Sequence, residues 1–121
     1  LVVNEHEARF VLGDSAGPDP EDWARGLLGL GPRSVVITLG AEGALVADGR
    51  TDAFARVPSP KVDAVDTTGA GDAFTAALGW RLGLGDDLAK AAAFAVRVGS
   101  LAVTREGAQR SFPTAEEVGA P

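Results

Sequence analysis

The run Asp66-Thr67-Thr68-Gly69-Ala70-Gly71-Asp72 places two glycines between two carboxylates, at a point where the sequence changes period. Val62 to Val65 read as β-like. From Ala70 onward the apolar residues Ala70, Ala73, Phe74, Ala77, Leu78 and Leu82 recur at helical spacing. The N–H groups of Gly69, Ala70, Gly71 and Asp72 therefore fall in the first turn of a helix, where they lack intrahelical acceptors. With the positive end of the helix dipole behind them they can hold a phosphoryl group, and the missing Cβ of Gly69 and Gly71 lets it approach the main chain. Asp72 is the side chain in that turn able to accept a proton. The same letters also fit a plain turn and capped helix, with Thr67 or Thr68 as N-cap and Asp72 favoured by the dipole alone.

Two further segments have the same double character. Asn4-x-x-Glu7 reads as a capping box, an N-cap side chain and a Glu three residues on that satisfy each other's backbone donors. Such a start is also a rigid mount for both side chains. Thr38-Leu39-Gly40-Ala41-Glu42-Gly43 follows a buried strand at its carboxyl end, where open α/β sheets bind ligands. It also suits a strand-to-hairpin turn that needs glycine. Glu5, His6 and Glu42 are expected to face solvent.

The elements that would position these residues alternate in type. Leu1 to Val3 look like the end of a strand, and Asn4 to Leu12 a short helix closed by Gly13. Asp19-Pro20-Glu21-Asp22 opens a helix through Leu28, with N-cap, proline at the first helical position and an acidic first turn. Ser34 to Leu39 is the continuous β-branched run of a buried parallel strand. Ala44 to Ala47 and Thr51 to Val57 flank the hairpin signal Asp48-Gly49. Pro58 and Pro60 break the chain. Leu88 to Val103 is apolar apart from Lys90 and Arg97, the pattern of a helix buried on all sides. Thr114-x-x-Glu117 is a capping box for a last short helix. The alternation predicts an α/β sandwich around a mostly parallel sheet, within one domain, 1–121.

With 121 residues the chain can bury a real core. Its net charge of −6 argues against nucleic-acid or membrane-surface partners, because neither would find a basic patch. Phosphates held by backbone donors and a metal leave no trace in that count. No cysteine is present, which rules out disulfides and thiolate metal sites and suits a cytoplasmic location. No apolar run reaches membrane-spanning length, and no signal peptide is seen. Gly-x-x-x-x-Gly-Lys and Gly-x-Gly-x-x-Gly are both absent, against a P-loop NTPase or a Rossmann dehydrogenase.

The string Asp66-Thr67-Thr68-Gly69-Ala70-Gly71-Asp72-Ala73-Phe74 closely resembles the C-terminal signature of the ribokinase-like (PfkB-type) carbohydrate kinases. Complete members are more than twice as long, so the resemblance implies the C-terminal, ATP-binding part of a three-layer α/β kinase. It implies transfer of the ATP γ-phosphoryl group to a primary hydroxyl of a sugar, with Asp72 as catalytic acid–base group and Gly69, Ala70 and Gly71 as the anion hole. Asn4 would contact the phosphate side of ATP, and Glu7 would hold water of the hydrated Mg²⁺. Thr38, Gly40, Gly43, Gly71 and Asp72 would line the nucleotide. Val96 stands where ribokinases place a His or Asn, making adenine contacts there apolar.

Ala102 to Ser111 is most similar to the ribokinases proper, which points to D-ribose as substrate and to a K⁺ site. Its implied ligands are Asp66, Thr68, Ala102, Arg105, Gly107 and Ser111, an all-oxygen set suited to a hard cation. A fructokinase, an adenosine kinase, a 2-keto-3-deoxy sugar acid kinase, or a non-catalytic nucleotide-binding fragment are the alternatives. A homodimer is expected for the full-length protein.

Overall fold

The computed structural model describes residues 1–61, 69–104 and 114–118. The chain divides into two compact units, Leu1–Val57 and Pro58–Pro121, with Pro58 and Pro60 just past the boundary. No helix among the described residues is long and apolar enough to cross a membrane.

The first unit runs β1 (Val2–Asn4), α1 (Glu5–Leu12), α2 (Pro20–Leu28), β2 (Ser34–Thr38), β3 (Ala44–Asp48) and β4 (Ala53–Val57). The strands form one sheet in the order β1-β2-β3-β4. Among the described strands only β1 and β2 pair in parallel, while β2–β3 and β3–β4 are antiparallel. The described sheet is thus mixed and mostly antiparallel, a correction to the mostly parallel sheet expected from sequence. A parallel crossover needs about a dozen residues or more. The α1–α2 segment supplies them between β1 and β2, whereas Leu39–Gly43 and Gly49–Asp52 are too short.

Helices α1 and α2 lie over one face of this sheet. Ala8, Trp23, Ala24 and Leu27 from the helices pack with Val3, Val35, Ile37, Leu45 and Ala47 from the strands. Val35 and Ile37 point to this face while Val36 points to the other, as strand alternation requires. Leu27 and Ile37 are fully buried, and each contributes on the order of 1.5–3 kcal/mol by leaving water. The Trp23 indole donates to the Gly17 carbonyl at 2.9 Å, and the Arg9 guanidinium lies 4.9 Å from its ring centroid. Arg56 on β4 meets Glu21 on α2 in a two-pronged ion pair, 2.7 and 2.9 Å. The pair is solvent-screened, so its worth is about 0–1 kcal/mol.

The second unit is helical among its described residues: α3 (Ala70–Gly83), α4 (Leu88–Ala102) and α5 (Ala115–Val118). The short connection folds α4 back along α3, bringing Phe94 to Trp80, with ring centroids 5.5 Å apart. Expectation and structure differ on α4. Ala91, Ala92, Phe94, Ala95, Val96 and Val98 are buried, but Ala89, Lys90, Ala93 and Arg97 are exposed. Residues 89, 93 and 97 recur every four positions and form one outer stripe. Alanine on that stripe made a half-buried helix read as apolar all round.

Arg81 is the one charged side chain buried between the two helices among the described residues. Its Nε donates to Asp86 Oδ2 at 2.5 Å, and its guanidinium lies 5.0 Å from the Phe94 ring centroid and 5.7 Å from that of Trp80. Nη1 has no hydrogen-bond partner, so Asp86 carries nearly all the compensation for a desolvated cation. The hydrogen bond from Arg81 holds the Asp86 carboxyl below the usual carboxylate range. A carboxylate with a lowered folded pKa stabilises the fold above its unfolded pKa, about 3.9, and loses that contribution as pH falls toward the folded value. Asp86→Asn should therefore lower the melting temperature at pH 7 and flatten its decline below pH 4. Thermal unfolding followed by circular dichroism across pH 2–7 checks both.

Candidate active site

The first cluster forms at the carboxyl ends of the parallel pair. The register places Asn4 directly beside Thr38, so the last residues of β1 and β2 stand together. Asn4 is also the N-cap of α1, with extended backbone at φ −92° and ψ 177°. Its Oδ1 accepts from Glu7 N at 2.8 Å, and Glu7 Oε1 accepts from Asn4 N at 2.9 Å. The capping box is thus present, and it spends one oxygen of each side chain. Asn4 Nδ2 and Glu7 Oε2 remain for a ligand, on two exposed side chains fixed by the cap.

That donor set fits a hydrated Mg²⁺. Among the described residues no three His, Cys, Asp or Glu side chains come together to hold a metal. Mg²⁺ commonly keeps several waters and takes its remaining ligands from substrate phosphates, and one immobilised carboxylate oxygen suits an outer-shell contact.

Beyond Thr38 the chain tightens into a short turn, Gly40–Glu42. Gly40 at φ 59° and Gly43 at φ 94° adopt left-handed backbone that side chains resist. Leu39 N donates to Gly43 O at 2.8 Å and closes the turn. A Cβ on Gly40 would meet nothing within 4 Å, so a ligand can lie against its backbone. Thr38 is half-buried and Glu42 exposed; Glu5 is half-buried and His6 exposed.

The second cluster is the start of α3. Gly69 takes the N-cap position in left-handed backbone, φ 80° and ψ −1°, with no side-chain capping bond. This replaces Thr67 or Thr68 as the N-cap of the plainer reading. At α1, α4 and α5, by contrast, Asn4, Asp87 and Thr114 accept from first-turn N–H groups. The first helical bond of α3 runs from Ala73 N to Gly69 O at 2.9 Å. The N–H groups of Ala70, Gly71 and Asp72 stay without protein acceptors among the described residues. Gly71 and Asp72 are exposed, and a Cβ on Gly71 would meet nothing within 4 Å. Three convergent donors, the helix dipole and a free carboxylate can bind an anion and take a proton beside it.

Two contributors escaped the sequence reading. The Thr75 hydroxyl donates to the Gly71 carbonyl at 3.0 Å, and Gly99 on α4 lies against Ala70 and Phe74. The i, i+4 spacing of Gly71 and Thr75 was visible, but a mid-helix threonine can equally face water. Val96 lies in the buried face of α4, 5% exposed, and Ala102 is its buried last residue. Asp66, Thr68, Arg105, Gly107 and Ser111 lie outside the described residues.

A family model, "pfkB family carbohydrate kinase", matches residues 1–115. The ribokinase of Bacillus subtilis is 40% identical over 118 residues, covering 98% of this chain and 37% of that protein. The ribokinase of Schizosaccharomyces pombe is 38% identical over 123 residues, covering 98% and 38%. The crystal structure of Thermotoga maritima ribokinase superposes with a TM-score of 0.90 at 36% identity, covering 98% of this chain and 40% of that one. A putative ribokinase II from E. coli, solved with ATP and Mg²⁺, gives 0.84 at 31% identity, covering 98% and 37%. A double-mutant fructokinase from Vibrio cholerae, solved with fructose, ADP and a potassium ion, gives 0.82 at 30% identity, covering 98% and 38%. The chain spans about two-fifths of the length of the relatives it matches. With 115 of its 121 residues inside the family model and a ribokinase-like α/β backbone, this chain belongs to the pfkB family of carbohydrate kinases.

Proposed function

We propose that this chain is the C-terminal, ATP-binding part of a ribokinase that transfers the γ-phosphoryl group of ATP to a primary hydroxyl of D-ribose or a related sugar. The observation that carries the reading is the uncapped first turn of α3 with Asp72 exposed within it. Phosphoryl transfer asks a protein mainly for positioning and for stabilisation of charge on the phosphoryl oxygens. Backbone donors of Ala70, Gly71 and Asp72, already oriented, provide that without reorganising during the reaction. Mg²⁺, when bound, would neutralise charge on the phosphates. Asn4 serves the phosphate side of ATP, and Glu7 holds a metal-bound water. Thr38, Gly40, Gly43 and Val96 serve the nucleotide. In this reading Asp72 orients the sugar hydroxyl and takes its proton late, as the leaving phosphate bond breaks.

A K⁺ ion bound by Asp66, Thr68, Ala102, Arg105, Gly107 and Ser111 belongs to the same reading. Support comes from the potassium-bound fructokinase of Vibrio cholerae and from the resemblance of 102–111 to ribokinases. The full-length enzyme is read as a cytoplasmic homodimer.

In the full-length enzyme, Asp72→Asn should leave ATP binding nearly unchanged and lower kcat on the order of 10²-fold or more, the scale of a positioned acid–base group. Steady-state rates and ATP titration calorimetry test this; wild-type turnover would remove Asp72 from the mechanism.

The isolated 121-residue chain should not phosphorylate ribose, because no segment of it resembles the sugar-gripping part of the family. A radiolabelled transfer assay giving ribose phosphate above background would refute this.

K⁺ should raise the turnover of the full-length enzyme more than it changes sugar affinity. Initial rates in K⁺ and in a bulky organic cation at matched ionic strength measure it, and Asp66→Ala should abolish the difference. Equal rates in both cations would exclude the site.

A further inference from the structure

Resting on the reading above, we propose that Gly99 is a positioning residue for the anion-binding turn: α4 meets the back of the first turn of α3 there, and so sets where the Gly71 N–H points. Gly99 lies in the interior of α4, where glycine is less stable than alanine because it has more freedom to lose on folding. A Cβ built on it would stand 3.7 Å from the Ala70 carbonyl oxygen and 3.9 Å from Phe74 Cβ. Both are ordinary van der Waals distances, so one methyl fits and further carbons press on the turn. Phe74 is 5% exposed and Ala73 3%, so the turn is packed on one side, while Gly71 and Asp72 face solvent on the other.

The coupling to the donors is covalent. The Ala70 carbonyl and the Gly71 N–H belong to one planar peptide. A displacement of the oxygen at the back of the turn tilts the N–H at its front. The hydrogen bond from Thr75 Oγ1 to Gly71 O fixes the next peptide, which carries the Asp72 N–H. Gly99 and Thr75 thus bear on successive peptides of the same turn, from outside the set of groups that would touch substrate.

The test is a series at Gly99 in the full-length enzyme. Gly99→Ala should keep kcat within about twofold of wild type, its methyl filling space that is already there. Gly99→Val adds two γ-carbons in a nearly fixed helical rotamer, and should lower kcat at least tenfold with less than a threefold change in the KM for ATP. Gly99→Thr, nearly the same shape but with a hydroxyl that can bond to a main-chain carbonyl of the preceding helical turn, repeats the measurement if the valine variant does not yield folded protein. Asp86→Ala, which loosens the same helix pair at its far end, should lower the melting temperature and spare kcat. A valine or threonine variant with wild-type kcat overturns the proposal, as does an equal kcat loss in Asp86→Ala, which would make the effect one of general helix packing. Asp72→Asn run alongside separates the two failures. Normal turnover in that variant sinks the kinase reading, whereas a loss there with an indifferent Gly99 series sinks only the positioning role.

Discussion

Three backbone N–H groups with no acceptor among the described residues, those of Ala70, Gly71 and Asp72, are the constraint from which the proposed chemistry follows. Leaving such groups unmade costs free energy wherever water is excluded, and other helices of this chain avoid the cost with Asn4, Asp87 or Thr114. At α3 the cap is a glycine at φ 80° with no side chain to offer. The exposure of Gly71 and Asp72 lets water satisfy these donors when no ligand is bound. A phosphoryl group that displaced the water would meet donors already aligned, so binding and transition-state stabilisation would cost little ordering at the site.

A second constraint acts in the sheet. Because β1 and β2 are parallel and pair Asn4 with Thr38, a strand end that caps a helix stands beside a strand end that leads into a glycine turn. The crossover through α1 and α2 makes that parallel pairing possible, and the core of Trp23, Leu27, Val35 and Ile37 holds it in register. Slipping β1 by one residue would put Val3 on the face opposite to the helices and remove Asn4 from Thr38. The mixed sheet is the compact solution for a segment with one crossover and two short antiparallel connections.

Local signals were the legible part of the sequence. Capping boxes at Asn4 and Thr114, proline at the start of α2 and β-branched residues in β2 each specify structure within a few residues, and each is present. Pairing direction was not local: the continuous apolar run of β2 suits a buried strand of either kind, and loop length decided for antiparallel neighbours. The exposed stripe of α4 was hidden by alanine, which is at home on either face. The glycine motif was recognisable as a helix start, but its N-cap was not, since Thr67, Thr68 and Gly69 all qualify by type. Gly99 carried no signal, because its importance lies in which backbone it approaches.

On the proposed reading an acidic chain holds a polyanion, and distance reconciles the two. The net charge of −6 is spread over a surface where salt screens interactions beyond about 8 Å. At hydrogen-bond distance a fixed N–H dipole acts before screening does, and several on one oxygen act together with the end of a helix. Carboxylates of the chain then have a use in the proposed function. Glu7, immobilised by the Asn4 cap, would there attract a hydrated divalent cation that an acidic surface does not repel, and the cation would bring the phosphates with it. Asp72 sits at the third position of α3, where negative charge is favoured by the same dipole that would hold the phosphoryl group. On the proposed reading one helix terminus would therefore stabilise both the base and its target, which lets a carboxylate stand beside a phosphate without driving it away.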